Sequence, residues 1–202
     1  AGLGSNSIGL PPIINHGSQA LQRAIVPPVL AGDKIAALGI SEPGAGSDVA
    51  SLRTTARREG DHYVIQGEKT FITSGMRFDW ISLAVRTDPA IKGAGGISML
   101  AVPGDAPGLS RTRLHKMGWH CSDTATLHFD NVRVPLGNLL GDENQGFKII
   151  MTNFNGERLG MSATAVGMAE ACYDEALAWA RQRTTFGQPL TSHQAVRHKL
   201  VD

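Results

Sequence analysis

Short apolar runs separated by turn-forming residues fill the chain from residue 34 to about residue 142. Runs of this length, bounded by Gly, Pro, Asp and Asn, are typical of β-strands. The segments Glu59-Gly60-Asp61 and Asp130-Asn131 predict tight connections between strands. The pattern therefore predicts an antiparallel β domain, either two packed sheets or an open barrel, with strands near residues 35–40, 62–66, 80–86, 97–102 and 126–129.

Helical patterns flank this β region. Ser18 is a suitable N-cap for a short helix over residues 19–26, which Pro27 and Pro28 are expected to stop. After residue 142, apolar residues recur at helical spacing as far as Arg183. We therefore expect an α+β multidomain chain. Its predicted parts are the end of an N-terminal helical domain (1–33), a middle β-barrel or sandwich domain (34–142) and the start of a C-terminal helical domain (143–202).

The chain ends inside a helical pattern without a capping residue, so we expect a piece of a larger three-part protein. The 202 residues are 42% hydrophobic and carry a formal net charge of +1, which gives no general reason to expect nucleic acid as a partner. No apolar run is long enough for membrane insertion, and no signal peptide is expected. Cys121 and Cys172 lack metal-ligand spacing, so no metal site is predicted and a reducing compartment is favoured.

The segment 41–48, Ser-Glu-Pro-Gly-Ala-Gly-Ser-Asp, carries the most specific local chemistry. It follows an apolar strand, and Gly44 and Gly46 permit positive φ and close approach of a ligand. Successive backbone N–H groups in such a turn can form a concavity for phosphate oxygens. An ordinary Pro-Gly turn is the competing interpretation, which only agreement elsewhere in the chain would displace.

Three further segments supply that agreement, in order along the chain: 67–75 (Gly-Glu-Lys-Thr-Phe-Ile-Thr-Ser-Gly), 115–124 (beginning His-Lys-Met-Gly-Trp) and 183–190 (Arg-Thr-Thr-Phe-Gly-Gln-Pro-Leu). Together the four segments resemble the acyl-CoA dehydrogenase flavoprotein family, and the resemblance covers nearly the whole chain. It implies FAD bound between the β domain and the C-terminal helices, and α,β-dehydrogenation of an acyl-CoA thioester.

The resemblance changes the interpretation of the glycine-rich turn from a phosphate cradle to a contact with the flavin ring. Ser41 stands where the family often has Thr, and Phe71 stands where an aromatic, commonly Trp, packs near the flavin. Leu38 replaces a residue that is aromatic in some relatives, so its contact is expected through the backbone. The implied flavin-binding residues of this part of the chain are Leu38, Ile40, Ser41, Gly46, Ser47, Phe71, Ile72 and Thr73.

A second implied cofactor segment lies near the end of the chain. In the family, the matching turn reaches the FAD of a neighbouring subunit and meets its pyrophosphate, a role suited to the guanidinium of Arg183. A solvated charge near a helix C-terminus is the competing interpretation. The implied contacts are Arg183, Thr185, Phe186, His193 and Gln194, and they imply a homodimer or homotetramer.

The family needs a carboxylate to remove the α-proton. Most members carry this glutamate far downstream, but an isovaleryl-like and long-chain-like subset carries it at the position of Glu157. A charge-paired helical glutamate is the alternative role for Glu157. The resemblance also implies substrate contacts for Ser47, Asn155 and Arg158, whereas Glu42 is expected to fix the turn through bonds to the backbone.

Three functions remain open at this stage. The first is an acyl-CoA dehydrogenase that passes electrons to electron-transferring flavoprotein, in the cytoplasm of a bacterium or the mitochondrial matrix of a eukaryote. The second is an oxidase or flavin monooxygenase on the same fold, and the third is a non-catalytic binding protein, which the near-neutral charge disfavours if the ligand is nucleic acid. Acyl chain length, branching and the choice between CoA and carrier-protein thioesters also stay open.

Overall fold

The computed structural model describes residues 7–201. The described chain divides into two compact units, the first ending at Phe154 and the second beginning at Asn155. The first unit contains an eight-stranded sheet. Its strands are β1 (Ala36–Gly39), β2 (Thr55–Glu59), β3 (His62–Thr73), β4 (Trp80–Arg86), β5 (Ile97–Pro103), β6 (Leu109–Arg113), β7 (Thr124–Pro135) and β8 (Leu139–Leu140).

The strand order is β6-β7-β3-β2-β4-β5-β8, with β1 paired to β4. Most neighbours are antiparallel, as predicted, but β1 and β2 both run parallel to β4, so the sheet is mixed. The described strands do not close into a barrel, because β6 and β8 remain the two ends of the path. The five predicted strand regions are confirmed in β1, β3, β4, β5 and β7, although β1 is one residue shorter at each end than predicted.

The sheet separates two hydrophobic cores. On one face, side chains from β3, β4, β5 and β7 pack in a single cluster that includes Ile65, Leu83, Val102 and Leu127. Strands far apart in the order share this cluster, so the sheet curves around it. The second core lies on the opposite face, where Ile13 and Ile25 from two helices pack with residues of β1, β4 and β5. Successive side chains of a strand point to opposite faces of the sheet, so a single strand contributes residues to both cores.

Helix α1 (Pro11–His16) precedes α2 (Gln19–Ala31). Ser18 caps α2 as predicted, since its hydroxyl accepts a hydrogen bond from the Leu21 N–H. The predicted stop at Pro27 and Pro28 is wrong, because both prolines lie inside the helix. Because proline has no N–H, the carbonyls of Arg23 and Ala24 lack their usual helical donors, but both residues are exposed and water can bond to these carbonyls.

The predicted turn at Asp130-Asn131 is also wrong. These residues lie inside β7, at a register shift where three steps of β7 oppose two steps of β3. Asn131 has φ 52°, and its N–H donates to the Gln66 side chain. The pair is therefore a β-bulge, which asparagine tolerates because it adopts left-handed φ more readily than most residues. The predicted turn at Glu59-Gly60-Asp61 is confirmed as the β2–β3 connection.

The long helix α3 spans Gly146–Gln182. In the second unit it is followed by a small hairpin and by α4 (Gln194–Val201). Within the described residues, no helix combines the length and apolar character needed to cross a membrane. Large apolar side chains of this unit lie exposed on α3, among them Leu159, Met161, Val166, Met168 and Trp179.

Candidate functional site

Six of the predicted flavin contacts lie together in the first unit. They line a pocket of about 130 Å³ at the end of β1, between that strand and the bulged part of β3. Apolar side chains form most of the wall, and Ser41 and Thr73 add hydroxyl groups. The lining residues are Ile8, Leu38, Ile40, Ser41, Phe71, Ile72, Thr73 and Phe154.

Phe71 is the least ordinary residue of this pocket. It has φ 59° and its side chain is 71% exposed, although it sits within a long β-strand. The cause is a second register shift, in which β3 takes three steps from Lys69 to Ile72 while β7 takes two. A bulky residue in left-handed backbone conformation costs free energy, and such strain persists where the surrounding structure imposes it. The bulge turns an aromatic ring outward at the pocket.

A buried ion pair lies next to the pocket. Lys69 is 0% exposed, and its Nζ donates to Glu42 Oε1 at 2.8 Å and to the Ile40 carbonyl oxygen at 3.0 Å. The other bonds of Glu42 go to the backbone, because its carboxylate accepts the N–H groups of Arg53 (2.6 Å) and Thr54 (2.9 Å). The expected bonding of Glu42 to backbone is therefore present. Lys69 was not singled out in the sequence, although a lysine next to a Thr-Phe-Ile-Thr strand was the available signal.

Burial and partners act in opposite directions on this pair. Burial raises the pKa of Glu42, but the Lys69 ammonium and the hydrogen bonds from Arg53 and Thr54 outweigh it, so the pKa falls below the ordinary value. Burial lowers the pKa of Lys69 to about 8, against the opposing effect of Glu42. Glu42 is thus held ionised, and it cannot serve as a neutral-pH proton acceptor while it is paired.

The lowered pKa of Glu42 predicts acid-sensitive stability. Its ionised form is favoured by folding, so the stabilisation is present above the ordinary pKa of 4.5 and is lost as pH falls through the lower folded value. We expect the free energy of unfolding to drop below about pH 4.5. Urea titrations across this range should show a smaller drop for Glu42→Gln, whereas Glu170→Gln, at an exposed helical position, should keep the unmodified pH dependence. Equal pH dependence in both variants would contradict the assignment.

The glycine-rich turn has a different backbone from the one expected. Glu42 and Ala45 exchange two backbone hydrogen bonds, of 2.8 and 3.1 Å, across Pro43-Gly44. Neither Gly44 nor Gly46 uses the positive φ that glycine permits. Apart from its chain neighbours, a Cβ at either glycine would meet no atom of the described residues within 4 Å, so the two glycines leave the outer surface of the turn uncovered. Gly46 and Ser47 are exposed and do not line the pocket.

The second predicted cofactor segment is a compact hairpin in the second unit. Strands β9 (Thr184–Thr185) and β10 (Gln188–Pro189) pair across Phe186-Gly187. Phe186 and Gly187 have φ values of 51° and 75°, the signs that a type I′ turn requires, and Phe186 is 96% exposed. The sequence therefore holds another bulky aromatic in strained, solvent-facing backbone.

His193 contacts two residues of this hairpin, Thr185 and Phe186. Its Nε2 lies 3.1 Å from Thr185 Oγ1, and its ring meets the Phe186 ring edge to face at 6.0 Å between centroids. The Arg183 carbonyl accepts the Leu190 N–H at 2.8 Å, and the Arg183 residue is exposed. Gln194 is the first residue of α4. Thr185, Phe186 and His193 are thus in contact, whereas Arg183 and Gln194 directly flank them along the chain.

Glu157 lies on α3 in the second unit and is half-buried. Burial raises the pKa of its carboxyl above the ordinary value, while the neighbouring Arg158 opposes the shift. Arg158 Nη1 donates to Asn155 Oδ1 at 3.3 Å, so these two predicted substrate contacts are linked. A raised pKa is what a carboxylate needs to accept a proton efficiently near neutral pH.

Comparison with known proteins identifies the family to which both parts of the chain are similar. Residues 37–132 match the acyl-CoA dehydrogenase middle-domain family, and residues 144–202 match the acyl-CoA dehydrogenase C-terminal-domain family. Over 197 residues the chain is 42% identical to cyclohexane-1-carbonyl-CoA dehydrogenase of Geobacter metallireducens, covering 97% of this chain and 51% of that protein. The chain spans about half the length of the curated relatives it matches.

Solved structures give the same result. A probable acyl-CoA dehydrogenase from Mycobacterium abscessus superposes with a TM-score of 0.94 at 53% identity, covering 100% of this chain and 53% of that one. The prolyl acyl carrier protein oxidase AnaB superposes with a TM-score of 0.92 at 31% identity, covering 98% and 52%. With both matching domains in sequence order and a shared fold, the chain belongs to the acyl-CoA dehydrogenase family.

Proposed function

We propose that this chain is part of an FAD-dependent enzyme that converts an acyl-CoA thioester to its trans-2-enoyl product. The observation that carries the proposal is the pocket at the end of β1, where six flavin contacts implied by the resemblance, from two separate segments of the chain, lie together. If Phe71 were an ordinary core aromatic, it would be buried and would not need a strained backbone. Instead it has positive φ and is exposed at the pocket.

The residues of the pocket suit one edge of a flavin ring. At about 130 Å³ the pocket is too small to enclose the whole ring system, but its apolar wall can face the ring plane. The Ser41 and Thr73 hydroxyls and the adjacent backbone can bond the polar edge of the ring, and the Phe71 ring can stack against it. This fit supports FAD as the cofactor.

Glu157 is the proposed base. Its carboxylate would accept the α-proton of the thioester, and its raised pKa favours that transfer. Bound FAD supplies the acceptor for the hydride that leaves the β-carbon. Asn155 and Arg158 would contact or orient the substrate, and the exposed Ser47 would contribute a hydroxyl at the thioester end.

The hairpin at residues 184–189 supports a shared cofactor site. We assign to Arg183 a bidentate contact with the FAD pyrophosphate of a neighbouring subunit, with Thr185, Phe186, His193 and Gln194 completing the surface. This assignment requires a homodimer or a homotetramer. The strained turn exposes the Phe186 ring, and Arg183 is exposed beside it. A cofactor of a second subunit that covered both groups would explain why they face solvent in the single chain.

An oxidase is the second candidate, because AnaB is named as an oxidase of a carrier-protein thioester. Dehydrogenases of this kind pass electrons to electron-transferring flavoprotein, which we propose as the acceptor, in the bacterial cytoplasm or the mitochondrial matrix. Oxygen consumption separates the two candidates. Full-length protein mixed with acyl-CoA in air should release little hydrogen peroxide and should reduce an artificial electron acceptor. Stoichiometric peroxide would favour the oxidase.

Phe71→Gly tests the functional reason for the strained bulge. Glycine adopts positive φ without penalty, so we expect the free energy of unfolding of the cofactor-free protein to rise by about 1 kcal/mol. FAD affinity should fall, because the ring contact is lost. Asn131→Gly is the matched control, since it changes a positive-φ residue in the other bulge and should leave FAD affinity unchanged. Unaltered FAD binding by Phe71→Gly would contradict the proposed stacking role.

A further inference from the structure

Lys69 reaches the flavin pocket through the backbone of another segment. Its Nζ bonds the carbonyl oxygen of Ile40 at 3.0 Å, and Ile40 and Ser41 both line the pocket. Lys69 itself is fully buried and does not line it. The ammonium group of Lys69 therefore contacts the pocket wall through the Ile40–Ser41 peptide.

The geometry of that peptide gives the bond a specific consequence. No cis peptide bond occurs in the described chain, so the Ile40 C=O and the Ser41 N–H point in opposite directions. By holding the carbonyl oxygen on its own side, Lys69 directs the Ser41 N–H to the other side. The Thr70 N–H holds the Ser41 carbonyl at 2.9 Å, so the next peptide is fixed as well.

Glu42 has a separate part in this arrangement. It accepts one bond from Lys69 and two from the backbone N–H groups of Arg53 and Thr54, so it fixes the position of the ammonium group. Within the described residues the donor to the Ile40 carbonyl is Lys69, and the Glu42 carboxylate, itself an acceptor, cannot replace it. Removing either member breaks the ion pair, but only removal of Lys69 frees the Ile40 carbonyl.

We propose that Lys69 is a positioning residue for the cofactor, because its ammonium group fixes the Ile40–Ser41 peptide so that the Ser41 N–H can bond the flavin. This inference rests on the proposed function, since it assumes FAD in the pocket. The competing role is purely structural, with Lys69 present only to neutralise Glu42. The two roles differ in what happens once both charges are removed.

Three variants of the full-length protein separate these roles: Lys69→Met, Glu42→Gln and the double variant. A buried pair replaced by neutral side chains often folds as well as the original, whereas a lone buried charge does not. For each variant we would measure the dissociation constant of FAD, the thermal midpoint of the apoprotein and the visible circular dichroism of bound flavin. The last readout reports the ring environment and does not depend on turnover.

We expect the double variant to recover the thermal midpoint lost by Lys69→Met but not the FAD affinity, which should stay about 10- to 100-fold weaker than in the unmodified protein. Its flavin dichroism should also differ from that of the unmodified protein. Glu42→Gln keeps the donor to Ile40 and an acceptor at position 42, so its loss of FAD affinity and its change in dichroism should both be clearly smaller than those of Lys69→Met.

Full recovery of affinity by the double variant would overturn the proposal, and so would a loss in Glu42→Gln as large as that in Lys69→Met. The second comparison decides the matter if the double variant does not fold. Failure of the unmodified full-length protein to bind FAD is a different result, because it would refute the proposed function itself.

Discussion

Glu157→Gln should lower the rate of acyl-CoA dehydrogenation by about 10²- to 10⁴-fold, the usual contribution of a positioned general base. Glutamine keeps the size and the hydrogen-bonding capacity of the side chain but cannot accept the α-proton. FAD content should be unchanged, since Glu157 is not assigned to the cofactor. The measurement is the anaerobic rate of flavin bleaching after the full-length variant is mixed with substrate.

Glu170→Gln is the matched control for this experiment. It makes the same change on the same helix at an exposed position, and it should leave the bleaching rate unaltered. A near-normal rate in Glu157→Gln would show that a different group, such as a glutamate further along the chain, is the base. The isovaleryl-like and long-chain-like comparison would then no longer apply to this protein.

Lys69→Met should lower the free energy of unfolding by about 3–5 kcal/mol, because it leaves the Glu42 carboxylate buried without its cationic partner. This is a large part of the net stability of an ordinary domain. Methionine fills nearly the same volume, so the loss would report charge and not a cavity. Urea denaturation of the cofactor-free protein measures the effect directly.

Lys92→Met serves as the control, because Lys92 is exposed in the loop between β4 and β5 and its loss should change the free energy of unfolding by less than about 0.5 kcal/mol. If Lys69→Met were equally mild, Glu42 would have to be satisfied by the Arg53 and Thr54 N–H groups alone. That outcome would remove the energetic reason for a buried lysine at this position.

The periodic parts of the fold were the parts that sequence patterns predicted. Strands β4 and β5 are buried on both faces, so each is a continuous apolar run between turn residues. Such a run can be located directly in the sequence. The errors at Pro28 and Asn131 share a cause. Proline usually ends a helix and asparagine often ends a strand, but here α2 continues beyond Pro28 and β7 continues beyond Asn131 because the flanking residues pack in the cores.

The candidate site divides in a similar way. Ser41, Phe71 and Thr73 were identified through motif resemblance, and the structure adds that they meet at one pocket. The positive φ of Phe71 could not be predicted, because it arises from a register shift between β3 and β7 that only pairing determines. Lys69 was missed for a related reason, since a lysine in a strand normally indicates a solvent-facing position.

The most direct test of the central claim is anaerobic mixing of full-length, FAD-loaded protein with a panel of straight and branched acyl-CoA thioesters. We predict rapid loss of the visible flavin absorbance with at least one member of the panel. Mass spectrometry should then show one enoyl-CoA, lighter than the substrate by two hydrogens, for each flavin reduced. A protein that binds FAD yet shows neither bleaching nor enoyl-CoA with any of these thioesters would contradict the account.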